Sequence, residues 1–152
     1  MSFLRRSSVS ALSVLVLGVS FWAFADSEDA TEAEASAAEV TAESTNPFPF
    51  TRDSVKRGRG VYLRYCQDCH DFDGKSMSNV EAEATDLTRP TIWRYGTRDG
   101  EVFKTIRDGG GDTMPPFGDQ IKDARRIWEM VNFLRSIGPK DTRPEYVEEK
   151  ED

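Results

Sequence analysis

Residues 66–70 read Cys66-Gln67-Asp68-Cys69-His70, and this pentapeptide holds both cysteines and the sole histidine of a 152-residue chain. The spacing is C-x-x-C-H, the pattern of covalent c-type haem attachment. Two thiols three positions apart can each add to one of the two vinyl groups of a haem. An imidazole next in sequence can then supply an axial nitrogen to the iron. Three other readings of these residues weigh less. A redox-active C-x-x-C pair sits in a βαβ setting after a strand, whereas here the motif ends an amphipathic helix. A tetrahedral zinc site needs four ligands, and only Cys66, Cys69 and His70 are near. A disulfide between residues three apart closes a very short loop and stabilises little.

The segment leading into the motif predicts a helix over 52–66. Thr51 suits the N-cap and Asp53 favours the first turn, and Val55, Gly58, Tyr62 and Tyr65 recur on one face. A second helix is predicted over 99–108, with Val102, Phe103 and Ile106 as its apolar face and Gly109 as its cap. A third is predicted over 122–137, where Ile127, Met130, Leu134 and Ile137 form the stripe and Gly138-Pro139 stops it. No alternating strand pattern and no internal repeat occurs between these helices, so the fold class is all-α. Two long loops, 68–89 and 109–120, separate them, and long loops in a small domain usually carry function.

A haem iron held by His70 has a second axial position. With no second histidine, the candidates in the middle of the chain are Met77, Met114 and Met130. Met130 lies on the stripe of the last helix, where packing is its better reading. Met77 follows His70 too closely to reach the opposite face of a haem. Met114 lies in a glycine-rich loop beside Pro115 and Pro116, whose fixed backbone would stiffen the loop. It is the favoured ligand, against the plainer alternative that it fills a gap beside the haem. His/Met ligation raises the haem potential and closes the iron to outside ligands.

Charge divides the chain. Residues 1–25 carry Arg5 and Arg6, an apolar stretch and Ala23-Phe24-Ala25, which together read as a cleaved export signal or an uncleaved anchor. Residues 26–45 hold seven acids and no base and read as a solvated, disordered tether. Residues 46–140 hold 16 bases and 14 acids and form the globular domain. Residues 141–152 hold six acids and two bases and read as a second acidic tail. The formal net charge of −7 therefore resides in the tails, and it argues against nucleic acid as a partner. Two groups of bases in the middle, around Arg52, Lys56, Arg57, Arg59 and Arg64 and around Arg94, Arg98, Lys104 and Arg107, read as a docking face for an acidic partner or as solvated helix faces.

From residue 53 to residue 137 the sequence resembles a class I cytochrome c. Gly58 and Tyr62 stand where that family places a small residue and an aromatic at the contact with the last helix. Phe133-Leu134-Arg135 resembles its aromatic-Leu-basic run. Met114-Pro115-Pro116-Phe117 is similar to the Met-Pro-x-Phe ligand loop of one subgroup, and Leu87 with Trp93-Arg94-Tyr95-Gly96 strengthens that likeness. The subgroup includes haem domains of terminal oxidases and of dehydrogenase acceptor subunits, and free periplasmic carriers. Asp71 stands where the family often has glycine, so the loop after His70 is expected to differ.

The resemblance implies a small cytochrome c fold wrapping one covalent haem c. Cys66 and Cys69 would anchor the haem, and His70 and Met114 would ligate the iron. Trp93, with Leu87, Phe103 and Phe117, is expected to wall it, and Trp128 reads equally as wall or as ordinary core. The function expected is that of an exported, periplasmic, monomeric one-electron carrier between a redox protein donor and acceptor. It would not be an enzyme and would take no small-molecule substrate. It would meet a membrane only through a redox complex or an uncleaved signal. The alternatives are a haem subunit fixed in an oxidase or dehydrogenase complex, and an open-site haem enzyme or gas sensor.

Overall fold

A computed structural model of the chain describes residues 40–148. The export signal and residues 26–39 of the tether lie outside the described residues. The order of elements is α1 (Arg52–Tyr65), α2 (Gln67–His70), short 3₁₀ turns at Val80–Ala82 and Pro90–Ile92, α3 (Asp99–Asp108) and α4 (Ala124–Ile137). The sole β-type pairing among the described residues is a single bridge between Gly110 and Met114.

Each main helix begins where local chemistry satisfies its free N–H groups. Thr51 accepts from Ser54 N at the start of α1, and Asp123 accepts from Arg125 N at the start of α4. At α3 the carboxylate of Glu101 reaches back to accept the backbone N–H of Thr97 and of Arg98, each at 2.8 Å. Cys66 ends α1 and opens α2, so the two cysteines and His70 sit on one short turn attached to a long helix.

The centre of the fold is the crossing of α1 and α4. Gly58 makes it possible, because a Cβ built there would lie 2.0 Å from Glu129 O and 2.9 Å from Met130 N. Next to this contact Tyr62 packs on Phe133, ring centroids 5.0 Å apart. Helix α3 covers another side of α4, and Phe103 meets Trp128 at 4.4 Å. Both of these rings are almost wholly buried, so they belong to the core.

Residues 40–45 depart from the solvated tether expected of them. Val40 is buried, Gly100 N donates to Ser44 O at 2.9 Å, and Glu43 pairs with Arg98 at 2.8 Å. One apolar side chain, one backbone hydrogen bond and one ion pair hold this short turn against the start of α3. Asn46 then donates to Trp128 O at 2.8 Å and to Asn132 Oδ1 at 3.0 Å. Asn132 itself donates to Ser54 Oγ at 2.8 Å and to Pro49 O at 3.1 Å. At the other end of the chain, Tyr146 stacks on Phe50 at 4.7 Å under the guanidinium of Arg52, and Val147 N donates to Phe50 O. Tyr146 and the Val147 backbone thus tie an otherwise largely exposed C-terminal tail to the domain.

Candidate haem site

The α1–α2 turn, the loop after α2 and the glycine-rich loop after α3 enclose a cleft of about 1090 Å³, counted out to its open mouth. Cys66, Cys69, His70 and Met114 all border it. The motif thus meets a methionine from a distant segment on one cavity. Met77 is 75 % exposed and does not border the cleft. Met130 is buried on α4 and also reaches the wall, with its Sδ 3.5 Å from Cys66 Sγ. Leu87, Trp93 and Phe117 form apolar wall as expected. Phe103 and Trp128 do not: they face each other in the α3–α4 core rather than the cleft. A stripe of apolar residues reports burial but not which neighbour it meets.

The backbone around Met114 is fixed by two reciprocal hydrogen bonds. Gly110 N donates to Met114 O at 2.9 Å and Met114 N donates to Gly110 O at 3.2 Å. Gly109 turns the chain into this loop at φ 88°, and a Cβ there would lie 2.8 Å from Met114 O. Both the conformation and the space call for glycine.

His70 is oriented by partners that the sequence did not reveal. Its Nδ1 donates to Thr85 O at 3.0 Å, and Ser76 Oγ lies 3.2 Å from the same nitrogen. Ser76 Oγ also donates to Thr85 O at 2.8 Å. With Nδ1 carrying the proton, Nε2 is left as the free electron pair of a neutral imidazole. Burial pushes the His70 pKa down, in favour of that neutral form, against the opposing influence of Thr85 O and Asp71. The loop after His70 is held by Asp71, at φ 59°. Its carboxylate accepts Met77 N at 2.6 Å and Ser78 N at 2.8 Å, and its carbonyl accepts the hydroxyl of Tyr62. Side-chain bonding thus compensates for the absence of glycine. Burial, then the neighbouring Cys69, pushes the Cys66 thiol up to about 12.

The bases that read as a docking face are partly neutralised. Arg57 pairs with buried Glu129 at 2.6 Å, Arg98 with Glu43 and Glu101, and Arg107 with Asp108. Arg94 is exposed at the cleft border.

A model of the family described as cytochrome C oxidase, cbb3-type, subunit III matches residues 53–134, the stretch that builds α1 to α4 and the cleft. The chain belongs to this family. Among its relatives, the cbb3-type cytochrome c oxidase subunit FixP of Azorhizobium caulinodans is 28 % identical over 90 residues, covering 59 % of this chain and 29 % of that one. FixP of Bradyrhizobium diazoefficiens is 30 % identical over 82 residues, covering 54 % of this chain and 27 % of that one. The chain spans less than a third of the length of these curated relatives. The crystal structure of cytochrome cL from Methylophaga aminisulfidivorans MPT superposes with a TM-score of 0.50 at 18 % identity, covering 84 % of this chain and 79 % of that one.

The fold is thus that of a c-type cytochrome, and the chain is a haem-carrying electron-transfer module with covalent haem c. The residues present suit that group. Two thiols, a neutral imidazole and a thioether border one apolar cleft. Trp93, on its wall, has a buried indole N–H with no partner, a donor matched to a haem carboxylate.

Proposed function

We propose that this cbb3-type cytochrome c domain carries single electrons between redox proteins on one haem, which Cys66 and Cys69 anchor through thioether bonds and His70 and Met114 ligate. The convergence of these four side chains on one cleft, from segments more than 40 residues apart in sequence, carries the reading. Haem c supplies reversible one-electron chemistry between ferric and ferrous iron. The chain supplies the rest. Thr85 O holds the His70 ring with Nε2 toward its ligand role. The Gly110–Met114 bridge fixes the loop that brings the thioether, and Leu87, Trp93 and Phe117 exclude water from the cleft. No side chain is required to bind a small-molecule substrate or to move its protons.

The visible spectrum of the reduced holoprotein, with and without CO, tests this. A c-type spectrum unchanged by CO supports a closed iron held by His70 and Met114. A CO-shifted spectrum refutes Met114 as a tight ligand and favours an open-site haem protein.

The N-terminal export pattern supports delivery to the periplasm, where the domain works as a monomer. The FixP relatives favour a second reading, a haem subunit held in a membrane oxidase. Among the described residues no helix is long and apolar enough to cross a membrane. Size in gentle extracts separates the two: a free carrier runs as a monomer, and an oxidase subunit co-migrates with the complex.

A further inference from the structure

Ser76 occupies φ 57°, in the left-handed region that residues with a Cβ rarely adopt. Such conformations persist where the surroundings over-determine them, and they cluster at functional sites. Here the conformation places the hydroxyl in a closed triangle with His70 and Thr85. Ser76 Oγ is 2.8 Å from Thr85 O and 3.2 Å from His70 Nδ1, and Nδ1 is 3.0 Å from Thr85 O. One backbone carbonyl therefore accepts two donors, the serine O–H and the imidazole N–H.

We propose that Ser76 is a positioning residue that sets the hydrogen-bond strength at His70 Nδ1 and, through it, the midpoint potential of the haem. The inference rests on His70 being the axial ligand. A carbonyl that already accepts a hydroxyl draws less on a second N–H, because the first bond takes up part of its electron density. The weaker N–H donation keeps the imidazole closer to neutral. Ring N–H donation to a strong acceptor raises ligand basicity, and a more basic ligand stabilises ferric over ferrous iron, which lowers the potential. Hydrogen bonding around the axial ligand is one of the means by which a protein tunes a haem. Ser76 thus holds the potential up.

The test compares wild-type holoprotein with Ser76→Gly and Ser76→Ala. Glycine takes φ 57° without strain, so S76G decides the outcome if S76A loads haem poorly. In the ferrous, diamagnetic protein, the proton on His70 Nδ1 is followed by NMR and the midpoint potential by redox titration. The expected result is a downfield movement of the Nδ1 proton together with a lower potential, in both variants. If the His70 ring protons show the upfield ring-current shift of a haem ligand, yet neither the Nδ1 proton nor the potential moves in S76G, Ser76 serves only the loop. If the ring protons of the wild type show no ring-current shift, the ligand reading itself fails, and the role of Ser76 with it. A merely structural serine would change stability without moving the Nδ1 proton.

Discussion

Gly58→Ala adds one methyl group at the α1–α4 crossing. The new Cβ would lie 2.0 Å from Glu129 O, 2.5 Å from Glu129 C and 2.9 Å from Met130 N. All three are backbone atoms of a helix and have no rotamer in which to move aside. Carbon contacts are comfortable only beyond about 3.5 Å, so the helices must part locally by roughly 1 Å. A gap of that size forfeits about a quarter to a half of the dispersion attraction across the contact. The loss falls on Tyr62, Phe133 and Met130, which are almost fully buried beside it. Overpacking of this kind costs about 1–3 kcal/mol, sometimes more. The better helix propensity of alanine returns up to about 1 kcal/mol. We expect a net loss of about 2 kcal/mol, against a total of about 5–15 kcal/mol for an ordinary domain. Gly60 supplies the internal control, since it lies in the same helix and a Cβ there meets nothing within 4 Å. Gly60→Ala should therefore stabilise by up to about 1 kcal/mol. Urea unfolding of the two holoproteins, followed by tryptophan fluorescence, gives the comparison as midpoints at equal slope. If G58A is as stable as wild type, or G60A loses as much as G58A, the crossing is not where Gly58 matters.

Met114→Ala should lower the midpoint potential and let CO bind the reduced protein, and an unchanged potential and spectrum would remove Met114 from the ligand set. Asn132→Ala leaves the partners of a buried amide unpaired and should cost about 1–3 kcal/mol, read by thermal unfolding, with faster proteolysis near residues 46–49. The carboxyl of Glu101 is held at about 2, chiefly by the Arg98 side chain and then by backbone N–H groups. A depressed carboxylate pKa adds stability above the unfolded value and loses it as pH falls through the folded one. The destabilisation of Glu101→Gln relative to wild type should therefore be present at neutral pH and fade between pH 4.5 and about 2, in melting temperatures taken across that range.

The parts of this molecule that could be read from its residues are those governed by local rules. The helix predicted over 99–108 matches α3 residue for residue, and Gly109 marks its end. The helices predicted over 52–66 and 122–137 differ from α1 and α4 by one or two residues at a cap, where ends are least defined. The C-x-x-C-H motif carries its own spacing, and Gly58 declares the crossing through the missing side chain. What escaped reading depends on long-range placement. Thr85 meets His70 through a carbonyl, and a carbonyl leaves no mark in the sequence. Ser76 is an ordinary polar loop residue until its backbone angle is known. Asn46 and Asn132 join segments more than 80 residues apart. Phe103 and Trp128 have the composition of a cleft wall and the placement of a core. Val40, the one larger apolar residue in an acidic run, was the available hint that residues 40–45 pack on the domain.

The stacking of Phe50 on Tyr146 brings the incoming and outgoing chain together at the N-terminal end of α1. The cysteines and His70 follow the other end of that helix, about 20 Å away at 1.5 Å per residue. This clasp is thus made at the end of α1 remote from the haem-binding turn. A pull on the C-terminal tail loads the clasp before it reaches the cysteines and His70.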